Sequence, residues 1–358
     1  MQIINLRSDT QTLPTAAMLE AMREAQLGDE TYGEDPTVRK LEAMSAERFG
    51  KEAALLVVSG TMGNLVSLMA HTRPGDEVVL DSESHIFYYE GGGLANVAGL
   101  MPMPVPSRRG LMAADDLRAS IRGKDVHFPA PRLLCLENTH NRGGGTVTPL
   151  PLHRELCRVA RDHGLSIHLD GARIFNAALA AGVSVREYAE TVDSVMFCLT
   201  KGLSCPLGSV VVGSSEFIAH ANRARRRLGG GMRQAGIIAA AGIVALEQMV
   251  DRLVEDHAHA RLLADGIAHI RGLRVDVQAV ETNMVYVDHT PSGLDTEEIL
   301  RRFLRKGIVA EGRPPGHIRF VTNRHHDPRT VAEALQRIWL AMEQTPETCV
   351  LNDLARND

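Results

Sequence analysis

Two stretches decide the fold: Ser166-Ile167-His168-Leu169-Asp170-Gly171-Ala172-Arg173 and Ser194-Val195-Met196-Phe197-Cys198-Leu199-Thr200-Lys201. Each is a short apolar-rich run closed by a charged residue and followed by glycine. Such runs read as strands buried on both faces. Outward from them, residues 54–58, 77–81, 132–137 and 209–213 read as further strands. Residues 62–71, 151–163 and 173–181 carry helical patterns between them. Strands alternating with helices predict an α/β fold, a mostly parallel sheet sandwiched by helices. From about Gly229 the pattern changes. A long helical stretch over 232–270, broken near Val250, leads into strands at 273–277, 284–287 and 317–322 and helices at 295–306 and 328–342. This predicts an N-terminal arm (1–14), a large domain (15–245), a small C-terminal α+β domain (246–343) and a polar tail (344–358).

The 358 residues are 44% hydrophobic and 23% charged, with a net charge of −5. That is ordinary globular composition. No basic tract suggests nucleic acid, since Arg225-Arg226-Arg227 is short. No apolar run reaches spanning length and the N-terminus lacks a secretory pattern, so neither membrane nor export is expected. Cysteines 135, 157, 198, 205 and 349 form no C-x-x-C pair. A cytoplasmic protein without disulfides and with no metal site is expected.

An acid and an amine at the carboxyl ends of two parallel strands suit a pyridoxal phosphate enzyme. Lys201 would hold the cofactor through its ε-amine. Asp170 would keep the pyridine nitrogen protonated so that the ring accepts electrons. Of the five lysines (Lys40, Lys51, Lys124, Lys201 and Lys306), Lys201 alone follows an apolar strand and precedes a loop of small residues. Ser59-Gly60-Thr61-Met62-Gly63-Asn64 joins the first strand to its helix, where free backbone N–H groups would take a phosphate.

The chain resembles the low-specificity L-threonine aldolases, within the aspartate-aminotransferase-like fold (fold type I) of pyridoxal phosphate enzymes. The matching stretches are Leu6-Arg7-Ser8-Asp9-Thr10, Tyr32-Gly33-Glu34-Asp35-Pro36, Ser59 to Asn64, Glu137-Asn138-Thr139-His140-Asn141, His168 to Arg173, Lys201-Gly202-Leu203, Gly229-Gly230-Gly231-Met232-Arg233-Gln234-Ala235-Gly236 and Thr282-Asn283-Met284. They run in order along nearly the whole chain.

The resemblance implies cofactor contacts from Lys201, Asp170, Gly60, Thr61, His85, Arg173 and Arg233. Arg233 would reach the phosphate of a neighbouring subunit, and Tyr32 would lie near that neighbour's site. A homotetramer, a dimer of dimers with shared active sites, is thus expected. Ser8, Arg173 and Arg319 would hold the substrate carboxylate, because a guanidinium grips a carboxylate bidentately. Arg319 comes from the small domain, so domain closure would complete the site. His85 resembles the histidine stacked on the cofactor, and His140 the one near the substrate hydroxyl. His168 lies two residues before Asp170 on the same strand and face, so it would either support the aspartate or serve as a satisfied core histidine.

The implied activity is retro-aldol cleavage of L-threonine or L-allo-threonine to glycine and acetaldehyde. His140 is the favoured base, with His85 and an ordered water as alternatives. The rival reactions are phenylserine cleavage and β-elimination. An aminotransferase and a non-catalytic cofactor-binding protein are weaker readings. No G-x-G-x-x-G follows the first strand, which argues against a nicotinamide enzyme. Two departures from the family pattern stand out. Ser204 and Cys205 occupy positions where the family more often has glycine and a small residue. The loop Asn141-Arg142-Gly143-Gly144-Gly145-Thr146-Val147 is long and rich in glycine.

Overall fold

Seven strands, most of them dense in valine, leucine and isoleucine, assemble into one sheet in the computed structural model, which describes residues 2–123, 125–313 and 315–343. The predicted polar tail and Cys349 lie outside the described residues. The sheet order is Ala53–Val57, Ser209–Gly213, Ser194–Cys198, Ser166–Asp170, Pro131–Glu137, Glu77–Asp81 and Met101–Val105. Only Ser209–Gly213 runs against its neighbours; the other pairings are parallel. The central strands are buried throughout, as runs without alternation require.

The strand Met101–Val105 was not legible in the sequence. Its Pro102 and Pro104 remove two backbone donors, which only an edge strand tolerates. The predicted strand at 194–201 ends at Cys198, and Leu199 to Lys201 turn out of the sheet. The predicted strand at 273–277 reduces to one bridge, Arg274 to Asp288, beside a 3-10 turn at Val277–Ala279. The long helical stretch is two helices, Gly236–Gln248 and Leu253–Ile267.

The chain divides into two units, residues 12–254 and residues up to 11 together with those from 255 onward. This corrects the expected boundaries. The 1–14 arm is split, because Ile4–Asn5 pairs in parallel with Ile308–Val309 and so joins the C-terminal unit. Helix Gly236–Gln248 stays with the large unit: Ala239, Ala241, Ala245 and Leu246 share a core with Leu41 and Phe49. The smaller unit packs Leu263, Ile267, Phe303, Phe320 and Ile338 around the antiparallel strands Met284–Asp288, His317–Val321 and Glu311–Arg313.

Candidate active site

The carboxyl edge of the parallel strands gathers Asp81, Glu137, Asp170 and the loop that carries Lys201. Ligands of open α/β sheets bind at this edge. Asp170 is 2% exposed. One carboxylate oxygen accepts the Ala172 N–H at 3.0 Å, and the other accepts the Asn64 amide at 2.8 Å. The adjacent strand ends at Cys198, and the chain turns back so that Cys205 N–H reaches the Leu199 carbonyl at 2.9 Å. Within this turn the Lys201 carbonyl accepts from Thr12 Oγ at 2.8 Å and from the Ser204 N–H at 2.9 Å. The lysine backbone is therefore anchored while its side chain stays partly exposed. Ser204 sits at φ +66°, the left-handed region where glycine is preferred.

Gly60 and Thr61 open the helix Gly60–His71, directly after the first strand of the sheet. Ser59 caps that helix by accepting the Met62 N–H at 3.1 Å. The first N–H groups of a helix have no partner inside it, so those of Gly60 and Thr61 remain to hold an anion. A Cβ on Gly60 would come within 2.8 Å of Cys198 Sγ, so glycine is what lets the loop seat against its neighbouring strand.

Asn64, one turn into the same helix, ties the site together. Its amide nitrogen donates to Asp170 and, at 2.7 Å, to Glu90. Its amide oxygen then accepts from His168 Nε2 at 3.2 Å. That leaves His168 Nδ1 to accept the Ser194 hydroxyl at 2.8 Å, and Ser194 Oγ to accept from His71 Nε2 at 2.8 Å. The donor directions follow from the two carboxylates, which can only accept when ionised. Burial pushes the His168 pKa down to about 3 and that of His71 to about 4, so both rings are neutral in this chain. His168 thus supports Asp170 through Asn64 and not by direct contact.

The two histidines singled out from the sequence have different surroundings. His85 donates its backbone N–H to Glu137 at 2.6 Å and meets Glu90 through Nδ1 at 2.8 Å. Burial lowers its pKa, but the bond to Glu90 and the charges of Asp170, Glu90 and Glu137 outweigh burial and leave it raised. Its Nε2 has no hydrogen-bond partner among the described residues. His140 is 1% exposed, and its Nδ1 accepts the Gly143 N–H at 3.0 Å. The proton of the neutral ring is then on Nε2, which faces Asp81 at 3.6 Å. Neither nitrogen of His140 offers a free lone pair.

Asn64, Glu90 and Glu137 are site residues that sequence reasoning missed. Asn64 was quoted only as part of a phosphate loop. Glu90 follows two tyrosines in a loop, and no spacing marks it. His85, Glu90 and Asp170 present ligand atoms within 4.8 Å of one another, which makes them one polar wall. The glycine-rich loop after His140 meets the segment that carries His85, between Glu83 and Tyr89. Its Arg142 pairs with Glu83, donates to Tyr89 Oη at 2.9 Å and lies 4.0 Å from the centre of the Tyr88 ring.

Arg173 stands just before the helix Ile174–Ala181, so one strand-to-helix turn carries it and Asp170. Arg233 and Tyr32 are brought together on an exposed ridge. The Arg233 carbonyl accepts the Glu30 N–H at 3.0 Å, and its side chain donates to Thr31 Oγ. Tyr32 is 77% exposed. In the C-terminal unit, Arg319 donates to the Arg7 carbonyl at 3.2 Å and pairs with Glu311, which sets it beside the residue preceding Ser8.

Comparison with known proteins shows the family. Residues 5–290 match the beta-eliminating lyase family. Low-specificity L-threonine aldolase 1 of Arabidopsis thaliana is 43% identical over 97% of this chain and 99% of its own length. The chain belongs to the low-specificity L-threonine aldolase family. The Escherichia coli K12 low specificity L-threonine aldolase is 44% identical over 80% of this chain and 84% of its own. The Leishmania major threonine aldolase structure superposes with a TM-score of 0.81 at 18% identity, covering 94% of this chain and 99% of that one. The fold of this family is therefore the one described above.

Proposed function

We infer that this family member is a pyridoxal phosphate-dependent carbon–carbon lyase that cleaves L-threonine to glycine and acetaldehyde. The observation that carries the reading is the buried Asp170, held by Asn64 on the strand beside the one that leads to Lys201. These residues fit the cofactor: an anchored amine, a buried carboxylate and a helix start with free N–H groups. Bound pyridoxal phosphate supplies an electron-accepting ring, which takes up the pair released when the Cα–Cβ bond breaks.

The chain's own residues do the rest. Lys201 binds the cofactor through Nζ. Asp170 holds a proton at the ring nitrogen, because an opposite charge nearby favours the charged form. Gly60 and Thr61 would bind the phosphate through their free N–H groups, and His85 would lie against the ring as the resemblance implies. Ser8, Arg173 and Arg319 hold the substrate carboxylate, a role that rests on the family resemblance and on the chemistry of the guanidinium group. The base removes the β-hydroxyl proton, and a proton returned to Cα completes glycine.

His85, oriented by Glu90, is the proposed base, because His140 has no lone pair to offer. His140 acts instead as a buried prop of the loop at 141–147. Arg233 and Tyr32 serve a neighbouring subunit's site, a reading supported by their shared exposed ridge. The assembly is then at least a dimer, and the family resemblance favours a tetramer. A cytoplasmic location fits the free, buried cysteines among the described residues. No helix among them is long and apolar enough to cross a membrane.

The test is aldehyde release from L-threonine and L-allo-threonine by the cofactor-loaded protein, with Lys201→Ala as control. Equimolar acetaldehyde and glycine, lost in the control, is the expected result. Benzaldehyde from phenylserine in place of acetaldehyde, or pyruvate with ammonia, would move the activity to one of the rivals. Mixed oligomers of Arg233→Ala and Lys201→Ala subunits should regain activity, and none regained would refute shared sites.

A further inference from the structure

A cleft in the large unit lies at the amino edge of the sheet, opposite the candidate active site. It encloses about 650 Å³ and is lined by Arg73, Arg132, Arg223 and Arg227, with His71 at one wall. Arg132 and Ser166 stand at the starts of strands whose far ends are Glu137 and Asp170. Four residue steps of strand, about 13 Å, separate Ser166 from Asp170. The volume is in the range of small-molecule sites.

The charge of this cleft is one-sided. Asp76 is its one carboxylate among the lining residues. One Asp76 oxygen accepts the Arg73 backbone N–H at 2.8 Å, and the other lies 3.8 Å from Arg132 Nε. Asp76 therefore offsets at most one guanidinium. Arg73, Arg223 and Arg227 form no ion pair among the described residues. His220, Arg223 and Arg227 recur at spacings of three and four along helix Ser215–Arg227, which puts them on one face. His71 is held in place by Ser194 and by stacking on Phe217, with ring centres 4.5 Å apart. Three unpaired, exposed guanidiniums around an open cleft repel one another, and a multiply charged anion relieves that repulsion. Guanidinium forks match phosphate oxygens bidentately.

We propose that this cleft is a second binding site, separate from the cofactor's, for a small phosphate-bearing anion carrying two or more charges. Inorganic pyrophosphate and a nucleoside triphosphate share the chemistry it would recognise.

Isothermal titration of the cofactor-loaded protein with pyrophosphate, ATP and citrate tests this. The loaded protein keeps the cofactor's own phosphate cradle filled, so any phosphate heat comes from elsewhere. Saturable pyrophosphate binding with a dissociation constant of roughly 1 mM or tighter is expected. The exposed double substitution Arg223→Ser/Arg227→Ser should weaken it at least about tenfold, as loss of two charge-assisted contacts predicts. Equal affinity for pyrophosphate and ATP would place recognition in the phosphates alone, and tighter ATP binding would add the nucleoside; either supports the site. Absence of saturable heat, unchanged affinity in the double variant, or citrate binding as tightly as pyrophosphate would each overturn it.

Discussion

Replacing Asn64 by alanine should unsettle the active-site wall more than any other single neutral change there. Asn64 makes three buried bonds: to Asp170 at 2.8 Å, to Glu90 at 2.7 Å and from His168 at 3.2 Å. Two end on carboxylates, where a hydrogen bond contributes about 1.5–3 kcal/mol, and the third contributes about 1 kcal/mol. Asp170 keeps Ala172 and Glu90 keeps His85, which moderates the loss. The His168 Nε2 proton keeps no partner and is buried. The net expectation is roughly 3–5 kcal/mol of destabilisation, or a melting point lower by about 10 °C. Thermal unfolding should be followed with and without cofactor, because a ligand that binds only the folded state adds its own stabilisation. The cofactor-free protein then reports the network alone, and the difference between the two states reports how well Asp170 is held. Asn64→Asp sharpens the contrast. It sets a third carboxylate beside Asp170 and Glu90, so its deficit should grow as pH rises. A cofactor-free Asn64→Ala protein melting within about 2 °C of the parent would refute the reasoning.

Acid should destabilise the chain chiefly through its buried histidines. Burial pushes His71, His153, His257 and His326 down to about 4 and His168 to about 3, while it pushes Glu42 up to about 7. Between pH 6 and 5 these five histidines hold protons in the unfolded chain that they lack in the folded one, and Glu42 offsets one of them. The net is about four protons, so stability should fall by roughly 5 kcal/mol per pH unit as pH drops, measurable by denaturant titration at each pH. Gly110→Ala should cost both stability and turnover. Gly110 lies at φ +78°, and a Cβ there would meet His140 Cγ at 2.1 Å; normal turnover would mean that His140 can move freely. Ser204→Gly should raise the melting point slightly, because glycine removes about 1 kcal/mol of left-handed strain beside Lys201. His85→Gln should lower turnover more than His140→Gln does at matched stability, and the reverse order would return the base role to His140.

Much of this site could be read along the chain. A strand ending in Asp170, a strand leading to Lys201 and a helix opened by Gly60 and Thr61 are local patterns, and local patterns follow from side-chain period and backbone sterics. The sheet's parallel character followed in the same way from runs of buried valine, leucine and isoleucine. Other features depended on residues far apart in sequence. Asn64 meets Asp170 across 106 positions, and His168 meets Asn64 across 104, so no spacing could have paired them. Glu90 carried no motif, yet burial beside Asn64 and His85 makes it part of the wall. The choice between the two histidines turned on which lone pair is occupied, and only the Gly143 contact decides that for His140. The assignment of residues 4–5 to the C-terminal unit likewise rests on a strand pairing with residues 308–309. Most of the elements, though neither the edge strand Met101–Val105 nor the loss of a strand at 273–277, and the chemistry they carry follow from the residues in order. Tertiary structure alone decided which polar groups share protons, because hydrogen bonds act over about 3 Å and are blind to distance along the chain.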